Sequence, residues 1–144
     1  MPRSTPYSVI LRSILIGGVA FAVAACGSNN IVNPTPGTPP TSITETFTAT
    51  VTVNGASTQP FTVSTIGTVT VKLSALSPDD TATIGLSLGT WNGANCTLII
   101  TNDAAVLNTT VTGTAQSVGQ FCARVYDVGK LTAPTDVTLD ITHF

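Results

Sequence analysis

Thr46-Phe-Thr-Ala-Thr-Val-Thr-Val53 decides the fold. Phe47, Ala49, Val51 and Val53 alternate with Thr46, Thr48, Thr50 and Thr52, a period of two that sends one set to each face of a strand. Asn54-Gly55 follows, a dipeptide that favours tight turns. The same alternation recurs downstream. Phe61 and Val63 alternate with Thr62 and Ser64, and Val69, Val71 and Leu73 with Thr68, Thr70 and Lys72. Ile84, Leu86 and Leu88 alternate with Gly85 and Ser87. Cys96-Thr-Leu-Ile-Ile-Thr101 is a denser run that Asn102-Asp103 should stop. Thr109–Ala115 is a further short strand; Phe121, Ala123 and Val125 follow Gly119; Val137, Leu139 and Ile141 close the chain. Only Asp103-Ala-Ala-Val-Leu107 is suited to a helical turn.

Eight short strands with one apolar face each need a second sheet to cover them. The expected class is all-β, a single antiparallel β-sandwich over residues 43–144. Composition agrees: 27 of the 144 residues are Thr, which favours strands and disfavours helices. Charged residues make up only 8%, so protection of the sheet edges falls to Lys72, prolines and loops. A net charge of −2 leaves no basic surplus to neutralise phosphates, which disfavours nucleic-acid binding, and no nucleic-acid partner is expected.

The N-terminus reads as an address. Arg3 and Arg12 precede the apolar run Ile14-Leu-Ile-Gly-Gly-Val-Ala-Phe-Ala-Val-Ala-Ala25, which is shorter than the roughly 20 residues of a spanning helix. It ends in Val23-Ala24-Ala25-Cys26, which resembles the lipobox of bacterial lipoprotein signal peptides. The resemblance implies cleavage after residue 25 and acylation (palmitate among the chains) of Cys26, with Gly27 in a position that suits the outer membrane. At about 0.8 kcal/mol per buried methylene, two or three acyl chains hold a protein at a bilayer. Residues 26–42 then form the lipidated cysteine and a flexible tether, with prolines at 34, 36, 39 and 40 favouring extended polyproline II. Sixteen such residues reach at most about 50 Å. Beyond residue 25, three basic residues face seven acidic ones, a net −4, so the lipid is the expected anchor rather than charge.

With Cys26 lipidated, Cys96 and Cys122 remain as a pair in an oxidising compartment. Their parity conflicts. Cys96 shares a face with Leu98 and Ile100, but Cys122 shares one with Arg124 and Tyr126 rather than with Phe121 and Val125. Either a bulge shifts one strand or the bridge sits at a strand end.

Gly67-Thr-Val-Thr-Val-Lys-Leu73, Ile84-Gly-Leu-Ser-Leu88, Gly119-Gln-Phe-Cys-Ala-Arg-Val-Tyr126 and Val137-Thr-Leu-Asp-Ile141 together resemble the bacterial pre-peptidase C-terminal domain. That resemblance spans roughly residues 45–142 and implies a jelly-roll-like sandwich with a non-catalytic binding or secretion role. Here no peptidase accompanies it.

Catalytic signatures are missing from the sequence. The single His, His143, is the penultimate residue, and no Gly-x-Ser-x-Gly or His-Glu-x-x-His occurs. Two binding readings stay open. Trp91, with Asn92 and Asn95, either stacks on a sugar ring or packs over the loop mouth beside Cys96. Asp79, Asp80 and Asp103 at strand ends are weak calcium candidates without EF-hand spacing, and no other metal or cofactor is expected. The sequence therefore describes a monomeric, lipid-anchored, extracytoplasmic module of the bacterial envelope that binds rather than catalyses. Its expected partners are the membrane, through its anchor, and a glycan or an envelope protein. The alternative is a carbohydrate- or calcium-binding module centred on the Trp91 loop.

Overall fold

A computed structural model describes residues 37–144; the signal segment, Cys26 and the first part of the tether lie outside the described residues. Residues 37–42 are exposed and without regular structure. They lead into β1 (Ile43–Val51), followed by β2 (Ala56–Val63), β3 (Gly67–Ser77), β4 (Ile84–Trp91), β5 (Cys96–Ala105), β6 (Thr110–Ala115), β7 (Gly119–Tyr126) and β8 (Thr135–His143). Two four-stranded antiparallel sheets result, with orders β1-β8-β3-β6 and β2-β7-β4-β5. Every connection except β4–β5 passes from one sheet to the other, which is the jelly-roll arrangement.

That crossing explains one departure from the sequence pattern. Asn54-Gly55 does not close a hairpin; it turns the corner between sheets. Asn54 takes a left-handed φ of 55°, and the Gly55 N–H donates to the Thr52 carbonyl at 2.8 Å. The turn lifts Val53 out of β1 and leaves it exposed, although it continues the alternation.

The inner faces interlock as the alternation requires. Val51, Val69, Val71, Leu73, Val137, Leu139 and Ile141 of the first sheet are buried against Phe61, Val63, Ile84, Leu86, Leu88, Ala123 and Val125 of the second. Burial of this kind, at about 25 cal/mol per Å² of apolar surface, is the main stabilising term.

Three further expectations need correction. Lys72 guards no edge: β3 lies between β8 and β6, and Lys72 faces Asp140 across the strands. Edge strand β2 instead carries Pro60, which cannot donate to an incoming strand. Edge strand β5 is interrupted by two bulges against β4. The second correction follows from those bulges. Asn102-Asp103 does not stop β5 but bends it, with Asn102 Oδ1 accepting the Ala104 N–H at 2.9 Å, and the strand runs on to Ala105. The third is that Asp103–Leu107 therefore supplies strand and turn rather than helix.

Candidate functional site

β4 is buried on both faces. Its inward residues Ile84, Leu86 and Leu88 belong to the core, yet Gly85, Ser87 and Gly89 on the outward side are covered as well. Register identifies the cover. Tyr126, Arg124 and Cys122 of β7 stand opposite Gly85, Ser87 and Gly89. On the other flank, Thr101 of β5 stands opposite Ser87, and Leu98 opposite Gly89. The small residues are what make this possible: a Cβ on Gly85 would lie 2.2 Å from the Tyr126 ring, and one on Gly89 would lie 2.2 Å from the Thr97 carbonyl oxygen.

The disulfide closes one end of this face. Cys96 and Cys122 are bonded, with Cα atoms 5.9 Å apart. Their strands flank β4, and strands two apart in a flat sheet stand about 9.5 Å from each other. The start of β5 therefore curls over β4, and glycine at position 89 admits its backbone. The bulge between Leu88 and Gly89 pairs leaves Ile99 unopposed, so Leu98 and Cys96 turn outward while Ile100 stays inward. Both halves of the parity conflict are resolved: a bulge shifts the strand, and Cys96 is its first residue.

Between the bridge and Tyr126 lies an open hollow of about 340 Å³, lined by Leu98, Thr101, Asp103, Arg124 and Tyr126. The Tyr126 hydroxyl donates to the Asp103 carboxylate. Burial, and then that carboxylate, push the Tyr126 phenol above its ordinary pKa, so it stays a neutral donor. The Arg124 guanidinium lies 6.0 Å from the Tyr126 ring centroid. Among the described residues it forms no ion pair, the single such contact being His143–Glu45. Two buried polar atoms here lack partners: Ser87 Oγ and Arg124 Nε. Ser87 Oγ lies near enough to the Tyr126 hydroxyl to oppose its pKa rise, but not in hydrogen-bonding geometry with it. Such groups are uncommon in native interiors, because each carries about 1–3 kcal/mol of desolvation.

A hollow of equal volume on the first sheet, against Thr48, Thr50, Asp136 and Thr138, differs in this respect. Thr50 in it donates to Asp136 at 2.5 Å, its neighbours on the same face pair as Thr46 to Asp140 at 2.9 Å and Thr44 with Thr142 at 2.8 Å, and none of its polar side-chain atoms is both buried and without a partner.

The residues expected from the sequence lie at three separate places. Trp91 ends β4, half-buried opposite Cys96. Asn92 is committed to the β4–β5 turn, its Oδ1 accepting the N–H groups of Ala94 at 2.9 Å and Asn95 at 2.7 Å. Asn95 is exposed in the same turn. Asp79 belongs to the β3–β4 loop, where its carboxylate accepts the Thr81 hydroxyl at 2.6 Å and the Thr81 N–H at 2.9 Å, and those bonds lower its pKa. Asp80 follows it, while Asp103 serves Tyr126 on β5. Among the described residues no three His, Cys, Asp or Glu side chains gather as a metal site would require, so the three aspartates do not form one. His143 is buried within the core end, its ring 5.1 Å from Phe61, with Nε2 3.1 Å from Glu45 and Nδ1 3.5 Å from the Phe144 carbonyl.

Arg124, Tyr126, Thr101, Leu98 and Ser87 were not singled out as site residues by the sequence. One signal was present: Gly85, Ser87 and Gly89 are small at three successive outward positions of one strand, which leaves room above it.

No family model matches the chain, and no curated protein matches it. Among solved structures, it is similar to the Yersinia pseudotuberculosis-derived mitogen, with 18% identity and a TM-score of 0.54 over 72% of this chain and 88% of that one. It is also similar to Aeromonas hydrophila PliG, a periplasmic lysozyme inhibitor of g-type lysozyme, with 15% identity and a TM-score of 0.48 over 68% of this chain and 85% of that one. No described helix is long and apolar enough to cross a membrane. At these identities the mitogen likeness supports the all-β sandwich architecture and nothing further.

Proposed function

We propose that this protein is a non-catalytic binding module of the bacterial envelope, held there by a lipid on Cys26. Its ligand site is the outer face of the β2-β7-β4-β5 sheet. One observation carries the site: an open hollow of about 340 Å³ is lined by Arg124, whose buried Nε has no partner, and Ser87, opposite Arg124 on β4, keeps a buried hydroxyl without one. A ligand that draws Arg124 aside would supply the missing partners for both.

The charges narrow the ligand class. Arg124 and Asp103 offset each other across the hollow, and the chain beyond residue 25 is net −4, so an anion is disfavoured. A neutral ligand rich in hydroxyls fits best: Asp103 accepts, Arg124 donates, Thr101 does either, and Leu98 with the Tyr126 edge offers apolar contact. A glycan of the envelope has that chemistry. The disulfide fits an oxidising, extracytoplasmic compartment. A catalytic role has little support, because both nitrogens of the single histidine already face partners and neither points to a nucleophile.

A panel of immobilised neutral oligosaccharides tests the reading. Binding by the wild type that is lost in Arg124→Gln and Asp103→Asn but kept in Trp91→Ala supports it. Loss confined to Trp91→Ala would move the site to the β4–β5 loop; no binding, or binding indifferent to all three changes, would overturn the glycan reading.

A further inference from the structure

The two ends of the sandwich differ in charge. At one end lie the start of β1, the β2–β3, β4–β5 and β6–β7 turns and the C-terminus, as the pairings Ile43↔His143, Val63↔Gly119, Gly67↔Ala115 and Trp91↔Cys96 require. The turns there, Ser64-Thr65-Ile66, Asn92-Gly-Ala-Asn95 and Gln116-Ser-Val118, contain no charged residue. The nearest charged side chain is Glu45, already engaged by His143. The connections at the opposite end carry Asp79, Asp80, Asp127 and Lys130.

The end whose turns lack charged residues is also apolar at its tips. Ile66 is 62% exposed, Val118 60% and Ile43 51%, with half-buried Trp91 at the same end, while the opposite end exposes Val53 and Val106 less, to 43% and 44%. Branched aliphatic residues at the tips of separate turns have no core to serve. This is also the end through which the chain arrives, since the exposed residues 37–42 lead into Ile43.

We propose that this end rests in the interfacial layer of the bilayer that holds the protein, with Ile66 and Val118 inserted and Trp91 at headgroup level; the proposal rests on the lipid-anchor reading of Cys26. Tryptophan suits that position because its ring is apolar and its N–H polar. A patch this small would not bind a membrane from solution. Tethering makes the second contact intramolecular, so a weak surface suffices. With no charged side chain in its turns, the contact should gain nothing from anionic lipid and should not be weakened by salt. It would also set the domain upright, with the Asp79 and Asp127 loops farthest from the lipid.

Trp91 is the only tryptophan in the chain, so intrinsic fluorescence reports this end alone. The test uses the full-length lipidated protein in phosphatidylcholine vesicles with and without brominated acyl chains. The proposal expects co-flotation with the vesicles, loss of Trp91 emission to bromine, recovery of that emission in Ile66→Ser/Val118→Ser, and no effect of salt. Co-flotation with unquenched emission would overturn the proposal and leave the anchor standing. Failure to co-float would overturn the anchor reading, and this inference with it. Quenching that persists in the double variant, or that salt removes, would place the contact elsewhere. Emission protected by concentration-dependent self-association would assign the end to a second copy of the chain and overturn the proposal.

Discussion

The two outer faces of the sandwich obey the same alternation and end in opposite states. On the β1-β8-β3-β6 sheet, outward residues are threonines and aspartates that satisfy one another at the surface, as Thr46–Asp140 and Thr50–Asp136 do. On the β2-β7-β4-β5 sheet, outward residues of the middle strand are Gly, Ser and Gly, covered by a disulfide, an arginine and a tyrosine. The first face holds no buried polar side-chain atom without a partner among the described residues. The second retains buried polar atoms with no partner, at a place where the sheet could have been sealed with aliphatic side chains. Polar groups that folding leaves unmatched are better explained by binding than by stability.

The sharpest way to break this contrast is to open the second face. Reduction, or the double change Cys96→Ala/Cys122→Ala, should lower the melting temperature by more than about 10 °C, from roughly 3 kcal/mol for a loop of this length at about 4–8 °C per kcal/mol. Differential scanning calorimetry with and without reductant checks it; coincident transitions would mean the bridge does not brace the domain. Next in size is Gly89→Ala. Its methyl group would meet the β5 backbone at Thr97 rather than a flexible side chain, and should cost about 1–3 kcal/mol in urea unfolding. A neutral Gly89→Ala would show that β5 does not need that close approach.

Ser87→Ala should do the reverse of most core changes. It removes a buried hydroxyl without a partner, so stability should hold or rise by up to about 1 kcal/mol. A clear loss would mean that Ser87 Oγ is hydrogen-bonded after all, and the two faces would then be alike. Thr46→Ala on the first sheet should stay within about 0.5 kcal/mol, as an exposed pair in water.

The smallest effect concerns acid and should touch neither face. Asp127 accepts backbone N–H groups from Asn54, Leu131, Lys130 and Gly129, which hold its carboxyl below the ordinary 3.8. Its contribution is present above that value and fades as the pH falls through the lower folded one. Asp127→Asn should lower the melting temperature slightly at neutral pH, flatten the profile below about pH 4 and converge with the wild type in acid. An unchanged acid limb would mean that other carboxylates govern it.

Much of this architecture can be read along the chain. Period-two runs locate most of the strands, because burial on one face leaves its mark on every second residue, and a denser apolar run locates β5. The cysteine pair follows from counting. What the runs do not carry is which strands become neighbours: Asn54-Gly55 looks like a hairpin turn and is a corner between sheets. The bulge at Ile99 is equally silent, since Cys96-Thr-Leu-Ile-Ile is apolar on both faces and fits either register. The candidate site escaped for the same reason. Trp91 drew attention by its chemistry, whereas Arg124 and Tyr126 gain theirs only when β7 is laid beside the small residues of β4. The parity of Cys122 with Arg124 and Tyr126 was the visible trace, for all three share the outer face.

Paired calorimetric titrations of Ser87→Ala and Arg124→Gln, using an oligosaccharide retained by the wild type on the panel, test the central claim most directly. The account predicts melting temperatures at or above the wild-type value together with binding at least about tenfold weaker, a loss of about 1.4 kcal/mol. Wild-type affinity in both variants would contradict it, as would a fall in stability that accounts for the lost binding.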